Sequence, residues 1–324
     1  MTRAIRMHKT GGPEVMQLDD VEVAAPGPGE ARVRHNAIGV NYIDTYHRSG
    51  LYPLPMPSGI GSEAAGVVDA VGPGVDVVKV GDRVGYCTGG VGSYSEARVI
   101  AADRLIPLPG DISDRVAAAL MLKGLTVQYL FRQTYPLKSG ETILFHAAAG
   151  GVGLIACQWA KALGVTMIGT AGSDDKAEAA KQAGAKHVIV YTRENFVDRV
   201  KEITGGKGVP VVYDAVGKDT FPQSLDCLSP RGLFVSFGNA SGPIAAFNLG
   251  VLAQKGSLFV TRPTLATYGA KRTDLLAMAE ELFGLVRAGK IKAEVRQEYR
   301  LAEAADAHRA LASRSTTGAT LLIP

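Results

Sequence analysis

Three cysteines, Cys87, Cys157 and Cys227, are too few and too far apart to build a disulfide framework or a paired-cysteine zinc site. A reducing compartment is the default reading of such usage. No apolar run approaches the roughly 18 residues that cross a bilayer, and no block of about five or six like charges occurs. With 35 basic residues against 31 acidic ones, neither membrane nor nucleic-acid binding is indicated by charge. The stretch Met1 to Lys9 mixes charged and apolar residues without the apolar centre of an export signal, and the expected location is cytoplasmic. His8, His35, His47, His146, His187 and His308 lie scattered without ligand spacing, so no metal is expected.

What the chain does have is glycine: 39 residues in 324, many in clusters such as Thr88 to Gly92, which fits tight turns between short elements. From Arg3 to about Leu108 the pattern is short β-type runs, Ala31 to His35, Ala64 to Val71, Arg83 to Tyr86 and Glu96 to Ile100, broken by glycine and proline. Helical spacing begins with Ser113 to Leu122 and Thr126 to Gln133, placing a boundary near Lys123. Beyond it, extended and helical segments alternate from Thr142 to Val260, including a helix over Phe221 to Leu228, and the tail reads helix, helix, strand. Continuous apolar runs such as Thr142 to Phe145 and Val209 to Val212 are typical of strands buried on both faces. The expected class is α/β, a doubly wound parallel sheet preceded by a β-rich, barrel-like domain.

The strand Thr142 to Ala147 runs into Ala148, Ala149, Gly150, Gly151, Val152, Gly153 and then an apolar helix. Side-chain-free positions let backbone approach a pyrophosphate, and the amides opening a helix supply donors with a favourable dipole. Ala148 takes the usual first glycine position, and the competing reading is an ordinary tight turn. The next strand ends Gly169 to Ser173 without the acidic side chain that an NAD site places on the ribose. A hydroxyl at Ser173 and an ammonium at Lys176 suit a 2′-phosphate, which points to NADPH. Two alternatives stay open: Asp174 or Asp175 reaches the ribose and selects NAD, or Lys176 is a solvated helix-start lysine.

Over essentially its whole length the chain resembles the quinone oxidoreductases of the zeta-crystallin type, zinc-free members of the medium-chain dehydrogenase/reductase superfamily. The resemblance rests on HKTGGPEV at His8 to Val15, NYIDTYHRSG at Asn41 to Gly50, GSEAAG at Gly61 to Gly66 and VGDRV at Val80 to Val84. KGLT at Lys123 to Thr126, HAAAGGVG at His146 to Gly153 and VYDAVG at Val212 to Gly217 complete it. It implies a GroES-like catalytic domain from residues 1–122 and 265–324, and a Rossmann NADPH domain over 123–264. It also implies a cleft where nicotinamide meets substrate, and a homodimer through the Rossmann sheet. By position, Asn41, Tyr46, Thr126 and Tyr129 are implied near the nicotinamide, and Gly150, Gly151, Val152 and Gly153 at the pyrophosphate. Ser173, Lys176 and Arg314 are implied on the phosphate side, Tyr191 near the adenosine, and Phe237, Gly238, Asn239, Arg262, Pro263 and Thr264 along the nicotinamide half. Asp44 joins this set as a carboxylate ordering the Asn41 to Tyr46 turn.

Zinc-dependent relatives carry a cysteine at the position of Asn41 and a histidine at that of Ser62, before Glu63, and a four-cysteine lobe with no counterpart between Cys87 and Ala101. Without a Lewis acid, alcohol oxidation is not expected, whereas electron-poor quinones and enones remain suitable acceptors. The implied reaction is transfer of reducing equivalents from NADPH to a quinone, with Asn41, Tyr46 and Tyr52 as catalytic candidates. Tyr52 also reads as a loop-packing aromatic, and one-electron and two-electron transfer both stay open. The alternatives are reduction of an enone or 2-alkenal double bond, and a non-catalytic structural or RNA-binding role. The last predicts basic residues interleaved with aromatics, and no such run is present.

Overall fold

Alternating burial along the first half of the strand Glu30–Val40, with Ala31, Val33 and His35 inside and Arg34 and Asn36 outside, gives one of its faces to a core. This strand organises the first of two units in the computed structural model, which describes residues 1–313 and 316–324. The unit comprises Met1–Leu125, Gly269–Arg287 and Ala293–Pro324. Its main sheet runs in the order Val295–Arg300, Ala319–Ile323, Glu30–Val40, Glu63–Val71, Arg83–Tyr86, Ile106–Pro107, with Ala97–Ala101 also paired to Glu30–Val40. All these pairings are antiparallel except that between Val295–Arg300 and Ala319–Ile323. A smaller sheet joins Met16–Val21, Thr2–Met7 and Ser58–Gly59. Ile5, Ile38, Ile60, Val84, Tyr86, Tyr94 and Leu105 fill the core.

The second unit, Thr126–Tyr268 with Ala288–Lys292, holds a six-stranded sheet. Its order is His187–Val190, Thr166–Ala171, Thr142–Phe145, Val209–Asp214, Leu228–Ser236, Phe259–Thr261, parallel throughout. Numbered within the unit this is 3-2-1-4-5-6, the dinucleotide-binding order, which reverses direction between the first and fourth strands. Parallel strands need long crossovers, and the helices Gly151–Ala162, Asp174–Ala183 and Phe196–Ile203 supply three of them. The α/β class expected from the sequence is the class observed, a Rossmann sheet in one unit and a β-rich unit beside it in the chain.

Two helical expectations need correction. Ser113 to Leu122 and Thr126 to Gln133 are not separate helices: Asp114–Tyr129 is one α-helix and runs into a π-turn over Leu130–Thr134. Phe221 to Leu228 forms only a short 3₁₀ turn over Gln223–Cys227, because Leu228 already belongs to the strand Leu228–Ser236. Trp159 and Cys157 are packed core, as the helix periodicity implies, and burial pushes the Cys157 thiol up to about 12. Among the described residues no helix is long and apolar enough to cross a membrane.

Candidate active site

In the second unit, Ala147 turns the chain with φ of 57°, Gly150 precedes the helix in extended conformation, and no side chain caps the helix start. The first helical hydrogen bond runs from the Leu154 amide to the Gly150 carbonyl, so the amides of Gly151, Val152 and Gly153 are those a helix leaves for a ligand. Gly153 has a steric reason: a Cβ there would meet the Ala147 carbonyl oxygen at 2.4 Å and the Ala148 carbonyl carbon at 2.6 Å. The departure at Ala148 is absorbed by the neighbouring strand, where a Cβ on Gly169 would lie 2.6 Å from the Ala148 methyl. Glycine at 153 and at 169 therefore lets the helix start and the neighbouring strand pack directly against the Ala147–Ala148 turn.

Ser173 caps the helix Asp174–Ala183, its Oγ accepting from the Lys176 amide at 3.4 Å, which leaves the hydroxyl hydrogen able to donate. Tyr191 lies alongside, 46% exposed, its hydroxyl so close to Gly172 that a Cβ there would sit 2.8 Å from it. Asp174 is already engaged by Arg193, whose guanidinium donates at 2.7 and 2.5 Å and holds that carboxyl below its ordinary range. Arg193 was not anticipated, and a cation two residues past an exposed aromatic was the available signal. Ser173, Lys176, Tyr191 and Arg193 thus gather at the carboxyl ends of the second and third strands of the sheet, while Arg314 lies outside the described residues.

At the direction reversal, buried Asp214 orders the next loop by accepting from the amides of Val216 and Gly217 at 2.6 and 3.0 Å and from the Thr220 hydroxyl at 2.6 Å. The Phe237 amide donates to the Asp214 carbonyl at 2.8 Å, and the Phe237 ring lies 5.6 Å from that of Phe145. Arg262 reaches back to the Ser236 hydroxyl and the Gly238 carbonyl at 2.8 and 2.9 Å, fixing the Phe237 to Asn239 stretch. Pro263 and Thr264 lead into a short helix, Leu265–Tyr268. Tyr129, one turn along from Thr126, stacks on Tyr268 at 4.8 Å, and burial pushes its phenol above the ordinary range.

In the first unit, Asn41 ends the long strand and caps the helix Tyr42–Ser49, with Asp44 Oδ2 accepting from the Asn41 amide at 2.9 Å. Gly50, at φ of 83°, closes the helix in the left-handed conformation. Tyr46 is 8% exposed and lies edge-on to Tyr52, with ring centroids 5.2 Å apart. Asp44 is fully buried: it also accepts from the Tyr94 hydroxyl at 2.9 Å, and burial pushes its carboxyl up to about 7. Tyr94 contacts His308 Nε2 at 3.0 Å, and His308 Nδ1 lies 3.1 Å from Arg48. Sequence reasoning missed the partners of Asn41, whose Nδ2 donates to Glu63 Oε2 at 2.7 Å while the Lys123 ammonium lies 3.2 Å from the same oxygen. Both had been noted only as neighbours of other features, since a pair 60 residues apart has no local pattern. Cys87 is buried, and burial together with the Glu63 charge pushes its thiol well above the ordinary range. Among the described residues no three His, Cys, Asp or Glu side chains are gathered to hold a metal ion.

Comparison with known proteins agrees with this architecture. A family profile described as an alcohol dehydrogenase GroES-like domain matches residues 27–110, and one described as a zinc-binding dehydrogenase matches residues 151–277. The chain is 61% identical to a quinone oxidoreductase of Pseudomonas aeruginosa, with all of both chains covered. It superimposes with a TM-score of 0.98 on the crystal structure of Escherichia coli quinone oxidoreductase complexed with NADPH, at 56% identity, covering 99% of this chain and 100% of that one. It is also 47% identical to a 2-haloacrylate reductase of a Burkholderia species, covering 100% of this chain and 99% of that protein.

Proposed function

The chain belongs to the quinone oxidoreductase family of the medium-chain dehydrogenases/reductases, and from that premise we propose that it is an NADPH:quinone oxidoreductase working without zinc. The observation that carries the reading is the glycine turn at Gly150 to Gly153 with its uncapped helix start, followed one strand later by Ser173 and Lys176, where Asp174 is already engaged by Arg193. Gly150, Gly151, Val152 and Gly153 hold the pyrophosphate through backbone amides. Ser173 and Lys176 take the 2′-phosphate, Tyr191 flanks the adenosine, and Arg314 adds a phosphate-side donor. Thr126, Tyr129, Phe237, Gly238, Asn239, Arg262, Pro263 and Thr264 line the path of the nicotinamide half.

NADPH, when bound, supplies the hydride. Residues 1–122 and 265–324 carry the acceptor side, with Asn41, Tyr46 and Tyr52 as its polar and aromatic wall and Asp44 as the buried support of the Asn41 turn. A quinone that gains a hydride is a hydroquinone anion, and a tyrosine hydroxyl of this wall or water returns one proton to it. Orientation of flat rings, rather than an acid–base dyad, does most of the catalysis.

A second reading, reduction of an activated carbon–carbon double bond, is favoured by the resemblance to the 2-haloacrylate reductase. NADPH oxidation followed with 1,4-benzoquinone, 9,10-phenanthrenequinone, a 2-alkenal and 2-chloroacrylate separates the two. Quinone turnover well above that of both alkenes is expected, and turnover confined to the alkenes overturns the quinone reading. The protein acts in the cytoplasm and as a homodimer; the dimer is supported by the sheet's outer strand Phe259–Thr261, where Phe259 is 61% exposed and Val260 40%.

A further inference from the structure

His146 follows the strand Thr142–Phe145 at the entry to the glycine turn, in the second unit, and its ring is buried between two hydroxyl groups. Nδ1 lies 3.1 Å from the Thr170 hydroxyl, on the neighbouring strand Thr166–Ala171, and Nε2 lies 3.0 Å from the Ser224 hydroxyl, in the 3₁₀ turn Gln223–Cys227. Thr170 and Ser224 are as buried as the ring. The Ala147 amide donates to the Thr170 hydroxyl oxygen at 3.3 Å, and the Ser224 hydroxyl donates to the Thr220 carbonyl at 2.9 Å. Polar groups from three separate segments thus form one continuous row.

Hydrogen accounting fixes the direction of that row. With the ring proton on Nε2 and Nδ1 bare, Nε2–H donates to Ser224, Ser224 donates on to Thr220, and Thr170 donates to Nδ1 while its oxygen accepts from Ala147. Every buried hydrogen then has an acceptor. With the proton on Nδ1 instead, Thr170 has to accept twice, and its own hydrogen is left inside the protein with no acceptor among the described residues. Desolvation lowers the proton affinity of the buried ring, which keeps it in the neutral form that the row needs.

The far end of the row is the residue that turns the chain. Ala147 adopts φ of 57°, a left-handed conformation that is costly for an L-residue and persists only where its surroundings hold it. Its carbonyl accepts from the Gly150 amide at 3.0 Å and stands where a Cβ on Gly153 would meet it at 2.4 Å, so the start of the helix Gly151–Ala162 is set against Ala147. We propose that His146 is a positioning residue of the nucleotide site: as the Nε2–H tautomer it aims the Thr170 hydroxyl so that the oxygen holds the Ala147 amide, and this places the amides of Gly151, Val152 and Gly153 for the diphosphate of NADPH. The inference rests on the reading, made above, that this turn binds the diphosphate. His146 and Thr170 touch no ligand in this scheme and act through Ala147 alone.

The test compares His146→Asn, His146→Gln, Thr170→Ser and Thr170→Val in the full-length protein. Three quantities are read: the affinity for NADPH by calorimetry, the affinity for adenosine 2′-monophosphate, which has no diphosphate, by competition, and the thermal midpoint without nucleotide. The oxygen of an asparagine side chain can stand where Nδ1 stands and accept from Thr170, whereas a glutamine amide replaces only the Nε2 end. His146→Gln and Thr170→Val should weaken NADPH by about fivefold or more, and His146→Asn and Thr170→Ser by less than about twofold. Adenosine 2′-monophosphate should change by less than about twofold in all four variants. Combining His146→Gln with Thr170→Val should weaken NADPH by no more than about twofold beyond Thr170→Val alone, because the ring acts through that hydroxyl. Should His146→Gln fail to fold, the two Thr170 variants read the same hydroxyl and decide the matter. Equal losses in His146→Asn and His146→Gln that follow their thermal midpoints overturn the proposal and make the ring merely structural, as does a loss of adenosine 2′-monophosphate in step with NADPH. A parent protein that binds no NADPH fails differently: it removes the nucleotide reading itself, and this inference with it.

Discussion

Asp44 and His308 are two ends of one buried chain through Tyr94, and burial moves their proton affinities in opposite directions. Asp44 is pushed up to about 7 from 3.8, so across that window the folded protein holds a proton the unfolded chain has released. Its contribution to stability is full below the window and is lost as pH rises through it. His308 is lowered to about 3 from 6.5, so its contribution is full above that range and is lost as pH falls. Asp44→Asn removes the first slope alone. The unfolding free energy of the variant minus that of the parent, measured by denaturant titration, should climb between pH of about 4 and 7 and level off above. A difference independent of pH would contradict the burial of an ionisable Asp44. At the glycine turn, Gly153→Ala drives a methyl into backbone that has no flexible end to give way. It should cost about 1–3 kcal/mol of stability and weaken NADPH binding, both readable from thermal shifts with and without the nucleotide.

At the scale of elements, the parallel sheet was legible because buried strands advertise themselves as apolar runs at regular intervals, and Thr142–Phe145, Thr166–Ala171 and Val209–Asp214 all fall where such runs stand. The long helix Asp114–Tyr129 was not, because Lys123 and Gly124 read as a break. Gly124 is there for another reason: a Cβ on it would lie 2.5 Å from the side chain of Leu282, on the helix Arg272–Arg287 packed against it. Ordinarily Gly→Ala inside a helix gains about 1 kcal/mol. Here Gly124→Ala should lower the thermal midpoint instead, and a raised midpoint would mean that the two helices are not in contact. The helix Tyr42–Ser49 was read only as a turn, although Asn41 with Asp44 three residues on and Gly50 after it are start and stop signals. Of the site, the glycine turn and the polar residues after it could be read locally. Glu63 and Lys123 could not, since they meet only when segments 60 residues apart pair.

At the scale of the whole molecule, the strand Phe259–Thr261 stands at the edge of its sheet among the described residues and exposes two large apolar side chains, Phe259 and Val260. Paired by a second copy across a twofold axis, it would continue the sheet from one protomer to the next. Sedimentation of the purified protein should give a dimer, and Phe259→Asp should shift it toward monomer; a monomeric parent protein would remove the dimer from the account. The nucleotide preference is the claim on which the rest depends, because a chain that does not choose NADPH has its phosphate side misread. Calorimetric titration of the parent and of Lys176→Ala with NADPH and with NADH measures it. NADPH should bind the parent more tightly, and the substitution should weaken NADPH by about tenfold or more while changing NADH by less than about twofold. Equal weakening of both nucleotides, or a parent protein that favours NADH, would contradict the account.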